Sequence, residues 1–145
     1  MAEIAVKSSE VRNNWSSFVD DVLYRAPKFV QRNERDSIVA MNLEIVKLIT
    51  ESLRYSVTLE HDEEANEWIA SSDQSWIVES AETEHEAVSL YLESYLEWSV
   101  DYLKEFNTNY SAPNLKAQLP YILKALVQET VDNLRAYTDV EYARP

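Results

Sequence analysis

Between Glu3 and Arg54 the hydrophobic periodicity changes from extended to helical, back to extended and then to helical again. That alternation restricts the stretch to a strand, a helix, a β-hairpin and a second helix. A short extended run ends at Val6, and Ser8-Ser9-Glu10 leads into Val11, Trp15, Phe18, Val19, Val22 and Leu23. Steps of three and four put these side chains on one apolar helical face. Pro27 ends that helix, because the residue before a proline is driven out of the α region. Two β-rich runs follow, Lys28–Arg32 and Ser37–Met41, joined by the polar turn Asn33-Glu34-Arg35-Asp36. Asn42 stands where an N-cap is wanted, ahead of Leu43, Ile45, Val46, Ile49 and Leu53.

The remainder predicts a second part. Tyr55–Glu60, Glu67–Ala70 and Ser75–Val78 read as a three-stranded antiparallel meander, with charged and polar turns at 61–66 and 71–74. A helix is expected from Glu82-Thr83 to about Phe106, with Thr83 and Glu86 at capping-box spacing. Its apolar stripe is Val88, Leu92, Tyr95, Leu96, Leu103 and Phe106, flanked by Tyr91 and Trp98. Asn107–Pro113 reads as a polar loop, and Asn114 as the cap of a last helical region with Leu115, Leu119, Ile122, Leu123, Leu126, Val127, Val131 and Leu134 on one side. Pro120 removes an amide donor and is expected to kink or restart that helix. The tail from Thr138 is expected to fray. The predicted class is α+β, with residues 1–54 and 55–145 as two parts.

Composition excludes several chemistries. Among 145 residues there is no glycine, where ordinary usage gives about ten, and no cysteine. Phosphate-cradling loops of the Walker and dinucleotide types require glycine, and thiolate catalysis and zinc–thiolate sites require cysteine. No run approaches a membrane span, and no secretory signal is legible, so a cytoplasmic protein is expected. His61 and His85 are not paired at metal-ligand spacing, and no carboxylate pair is singled out by an apolar setting. No enzyme activity and no cofactor or metal are expected.

Charge is divided unevenly. Residues 1–54 hold eight basic and eight acidic side chains; residues 55–145 hold five and eighteen, so the whole formal charge of −13 belongs to the second part. The first part is able to approach DNA locally, and the second attracts a basic partner.

The ordered set in residues 3–54 resembles the Phd/YefM (prevent-host-death) antitoxins of bacterial toxin–antitoxin modules. The matching features are the opening strand into Ser9-Glu10-Val11-Arg12-Asn13-Asn14, the amphipathic helix, Pro27, Val30-Gln31-Arg32, a polar turn and Ile38-Val39-Ala40-Met41. The family usually has glycine in that turn; Glu34 and Arg35 stand there instead. Three strands followed by Thr83-Glu84-His85-Glu86-Ala87 are also similar to the HicB-type antitoxin domain, without that family's glycine before the motif.

The first resemblance implies a homodimer that binds operator DNA, with Arg12 early in the first helix and Arg32 at the end of the hairpin strand as the principal contacts. Lys7, Ser8, Asn13, Asn14 and Arg35 are the expected helpers. It also implies a cognate toxin, RelE-like or Doc-like, neutralised by direct binding. Glu86, Glu93, Glu97, Asp101 and Glu105, with Glu82, recur at helical spacing as one acidic ridge suited to a basic toxin. Two other readings stay open. One is an acidic interaction or inhibitor module that keeps the fold without DNA binding. The other is a ligand sensor built on the tryptophan-rich meander.

Overall fold

The computed structural model describes residues 4–144; Glu3 and Pro145, at the ends of the predicted first strand and tail, lie outside the described residues. The chain is α+β and divides into two units, residues 1–48 and 49–145.

In the first unit, β1 (Ala5–Lys7) pairs in parallel with β2 (Lys28–Gln31), and β2 pairs antiparallel with β3 (Ser37–Ala40). The predicted single helix is two, α1 (Ser8–Asn13) and α2 (Trp15–Tyr24). Asn14 makes the break: its backbone leaves helical geometry (φ −130°, ψ 44°), and its side-chain amide donates to the Glu10 carbonyl at 3.2 Å. An asparagine side chain competes in this way with the helical ladder. The hairpin turn needs no glycine, because Asn33 Oδ1 accepts the amides of Arg35 (2.8 Å) and Asp36 (2.9 Å), and neither turn residue has positive φ. Asn42 caps α3 (Leu43–Ile49) as expected, accepting the Glu44 amide at 2.9 Å.

The second unit is built on a four-stranded sheet in the order β6-β5-β4-β7. Strands β4 (Tyr55–Asp62) and β5 (Glu67–Ser71) are antiparallel, as the meander requires. The third strand differs from the expected 75–78: it is β6 (Glu79–Ala81). Ser75–Val78 is a loop instead, because Ile77 turns inward to 2% exposure while Ser75 Oγ caps the Ile77 amide and bonds Tyr91 Oη at 2.7 Å. The tail also differs. Thr138–Tyr142 is β7, parallel to β4, and Arg54 clasps Asp139 with two hydrogen bonds of 2.8 and 2.9 Å. Those bonds hold the Asp139 carboxyl below its ordinary pKa, so this clasp stabilises above the carboxylate range and is lost as pH falls.

Helix α4 (Glu84–Lys104) lies against the sheet, with Thr83 accepting the Glu86 amide at 3.2 Å. Its buried face is Ala87, Val88, Tyr91, Leu92, Tyr95, Ser99 and Tyr102, rotated from the predicted stripe so that Leu103 is exposed. Two of the buried tyrosine hydroxyls find acceptors, Tyr102 donating to the Leu115 carbonyl at 2.6 Å and, on β4, Tyr55 to that of Tyr121 at 2.7 Å, while the Tyr95 hydroxyl is buried without a hydrogen-bond partner among the described residues. The predicted polar loop is partly helical, with α5 (Phe106–Ser111) and α6 (Pro113–Lys116). Phe106 and Tyr110, one turn apart, stack at 4.9 Å and hold α5. Pro113, not Asn114, opens α6, with Ala112 as its N-cap. Pro120 sits in the first turn of α7 (Leu119–Gln128), where a missing amide is harmless, so the helix restarts there without a kink.

Between α7 and α8 (Val131–Arg135), Glu129 holds φ 69°, ψ −37°, and the Thr130 amide bonds the Gln128 carbonyl at 2.8 Å, which is a strained γ-turn. Glycine takes that geometry freely. Glu129→Gly is expected to stabilise the protein by about 1 kcal/mol, since released strain exceeds the added freedom of the unfolded chain. The check is the urea midpoint, and a midpoint at or below that of the wild type would contradict it.

Candidate functional site

Two surfaces carry the charged residues singled out above, one in each unit. In the first unit, the register pairs Lys7 with Gln31, so the next residues along the two strands, Ser8 and Arg32, emerge side by side. Ser8, Arg32 and Arg35 line one depression, together with Val30, Asp36, Ser37 and Ile38. Arg12 follows Ser8 by one helical turn and therefore shares its face. It stands in the last turn of α1, not the first turns of a long helix, because Asn14 ends α1 after six residues. Lys7, Ser8, Arg12, Asn13, Arg32 and Arg35 are all exposed, and none of the three arginines forms an ion pair among the described residues. Asn14 goes elsewhere: its amide is spent on Glu10, and it borders a separate depression with Val11, Phe18 and Lys28.

The same unit leaves much apolar surface uncovered. Among its described residues Val30 is the one buried hydrophobic side chain, and no residue of α1, α2 or α3 is buried. Trp15, placed on the core face by its spacing, is 62% exposed; Tyr24, Ile38, Leu43 and Leu48 are exposed as well. Helical spacing identifies an apolar face but not what covers it.

In the second unit, Glu82, Glu86, Glu93, Glu97, Asp101 and Glu105 are exposed along and around α4, and none of them is in an ion pair among the described residues. Glu97 and Asp101 edge a groove walled by Trp76 and Trp98, with ring centroids 6.4 Å apart and planes at 82°. No local pattern signals this pairing, because the alternation at 75–78 predicts a strand that sets Trp76 beside Trp68. In the structure the Trp68 ring lies 4.9 Å from that of His61, with the planes tilted by 54°, and Trp68 is paired with Ala81 on β6. Lys124 was missed as well. Its position on the apolar side of α7 carries it to 0% exposure, where Nζ donates to the carbonyls of Thr50 (2.8 Å) and Glu51 (3.1 Å) and lies 3.5 Å from the Tyr137 ring centroid. Burial lowers its pKa from the ordinary lysine value.

Among the described residues no cluster of His, Asp or Glu side chains is arranged to hold a metal ion, and no helix is long and apolar enough to cross a membrane.

No curated protein matches the sequence. A solved structure from Syntrophomonas wolfei subsp. wolfei, described as an antitoxin part of a proposed toxin/antitoxin system, is similar to this chain with a TM-score of 0.88 and 32% sequence identity. The match covers 96% of this chain and 99% of that one. The profile of the PHD-like family, described as antitoxin of toxin–antitoxin, RelE/RelB, matches residues 1–140. This chain belongs to that PHD-like family of toxin–antitoxin antitoxins.

Proposed function

We propose that the chain neutralises a basic toxin protein by direct binding through residues 49–145, and represses its own operon by binding operator DNA through residues 1–48 as a homodimer of the Phd/YefM type. The observation that carries this reading is the charge partition: exposed, unpaired arginines in the first unit, and an exposed, unpaired row of carboxylates in the second. Like charges at helical i,i+4 spacing repel by roughly 0.2–0.5 kcal/mol per pair, and a basic partner relieves that repulsion. The family description supports a RelE-like toxin over a Doc-like one. The uncovered apolar side chains of the first unit support the homodimer, whose two-fold symmetry suits a pseudo-palindromic operator. An operon repressor and its toxin work in the cytoplasm.

The test is fluorescence anisotropy on the upstream DNA at two salt concentrations. Wild-type binding is expected to weaken steeply with salt. Arg12→Ala/Arg32→Ala is expected to lower affinity by about a hundredfold and to flatten the salt slope by roughly one per lost phosphate contact. Equal binding by wild type and variant would remove the DNA half of the proposal. Co-expression with the product of an adjacent reading frame tests the other half, which fails if the two do not co-purify. A second reading, an acidic inhibitor module without DNA binding, is favoured by the formal charge of −13 lodged in residues 55–145. No operator binding at either salt concentration, combined with toxin co-purification, would select it.

A further inference from the structure

We propose that the groove around Trp76 and Trp98 is the docking site for an arginine side chain on a basic segment of the partner protein. The inference rests on the toxin-binding reading and assigns its anchor. Trp76 is 71% exposed and Val78, two residues on, 61% exposed, although buried Ile77 separates them. The loop does not hold them out for want of structure: Ile77 is embedded in the core, Ser75 Oγ bonds Tyr91 Oη, and Gln74 Oε1 accepts the Ser56 amide at 3.0 Å. Trp98 is fixed too, edge-on to Tyr95 at 5.4 Å and to Tyr102 at 5.9 Å. The two indoles form a rigid wall shared by two depressions.

What lines those depressions defines the guest. One side presents Glu79, Glu97 and Asp101; the other presents Asp73, Asn114 and Gln118. Neither lining contains a lysine or arginine. Carboxylates and aromatic faces together select a flat cation with several N–H donors. A guanidinium fits that description better than an ammonium, because it stacks on indole while its in-plane donors reach carboxylates. Tryptophan and arginine are also the residues on which binding energy concentrates at protein interfaces.

The test uses the full chain, ¹⁵N-labelled, with its four tryptophan indole signals assigned by single Trp→Phe variants. Three capped peptides of one sequence are titrated, carrying arginine, lysine or uncharged citrulline at the basic positions. The expected result is a shift of the Trp76 and Trp98 indole signals by the arginine peptide, weaker shifts with lysine and none with citrulline. Trp76→Ala, or Glu97→Gln/Asp101→Asn, should weaken arginine-peptide binding by about tenfold. Shifts confined to amides along 86–105, equal binding of the citrulline peptide, or no shift at any indole would each overturn the groove as the anchor. A Trp76→Ala chain that retains the toxin like the wild type would also overturn it and leave the antitoxin reading intact. Loss of toxin co-purification by the wild type would instead strike the antitoxin reading.

Discussion

Lys124→Ala is expected to destabilise residues 49–145 by about 3 kcal/mol or more. The substitution removes three buried methylenes, at about 0.8 kcal/mol each. It also removes the charged donor from the Glu51 carbonyl and from that of Thr50, which keeps the Leu53 amide, at about 1.5–3 kcal/mol for a hydrogen bond to a charged group, and it removes the cation from the Tyr137 ring. Part of this is offset, because the ammonium's own desolvation disappears with it. Lys124→Met separates the two contributions: it keeps most of the packing volume and loses the donor, so an intermediate loss is expected. Urea unfolding gives both values, and amide exchange at Leu53, whose N–H shares the Thr50 carbonyl with Lys124, reports the local effect. An alanine variant within 1 kcal/mol of wild type would refute the role assigned to Lys124.

Raising pH past 10 is expected to unfold the second unit cooperatively. Tyr55 and Tyr95 are both 1% exposed, and burial pushes their hydroxyls well above the ordinary tyrosine pKa, as it does that of Tyr91 to a lesser degree. The unfolded chain releases those protons near pH 10 while the folded chain keeps them, so the native state binds more protons and stability falls with pH. The stabilisation is complete below about pH 10 and is lost above it, at about 1.4 kcal/mol per pH unit for each tyrosine, or close to 3 for the pair. Lys124 acts in the opposite sense and at lower pH: its depressed pKa makes stability rise until the unfolded lysine titrates near pH 10.4. Tyrosinate absorbance and far-ultraviolet circular dichroism, followed together, provide the check. Tyrosinate of all nine tyrosines developing smoothly while the native dichroism persists would contradict the assignment, and Tyr55→Phe should reduce the alkaline slope.

The candidate surfaces were legible to different depths. The carboxylate row is visible in side-chain type and spacing along the chain, whereas Arg12 and Arg32 are singled out by the resemblance to Phd/YefM antitoxins. That Ser8 and Arg32 stand together required the parallel pairing of β1 with β2, which no local pattern announces. The indole wall was further from view. It depends on Ile77 being drawn into the core and Trp76 outward, reversing the expectation of a regular strand at 75–78.

Short-range physics encodes the caps at Asn42 and Thr83, the hairpin over 28–40, the long helix from Glu84, the restart at Pro120, and the segregation of negative charge into residues 55–145. Each depends on groups a few residues apart, so its signal survives without the fold. Other features depend on groups far apart along the chain. Thr138–Tyr142 became a strand because β4 offered it an unpaired edge, a partner about eighty residues away. Lys124 became an interior residue because two carbonyls and a tyrosine face met it there. Trp15 stayed outside because its amphipathic face met no cover in its own unit. Periodicity reports that a side chain needs a partner, and only the packed chain determines which partner it finds.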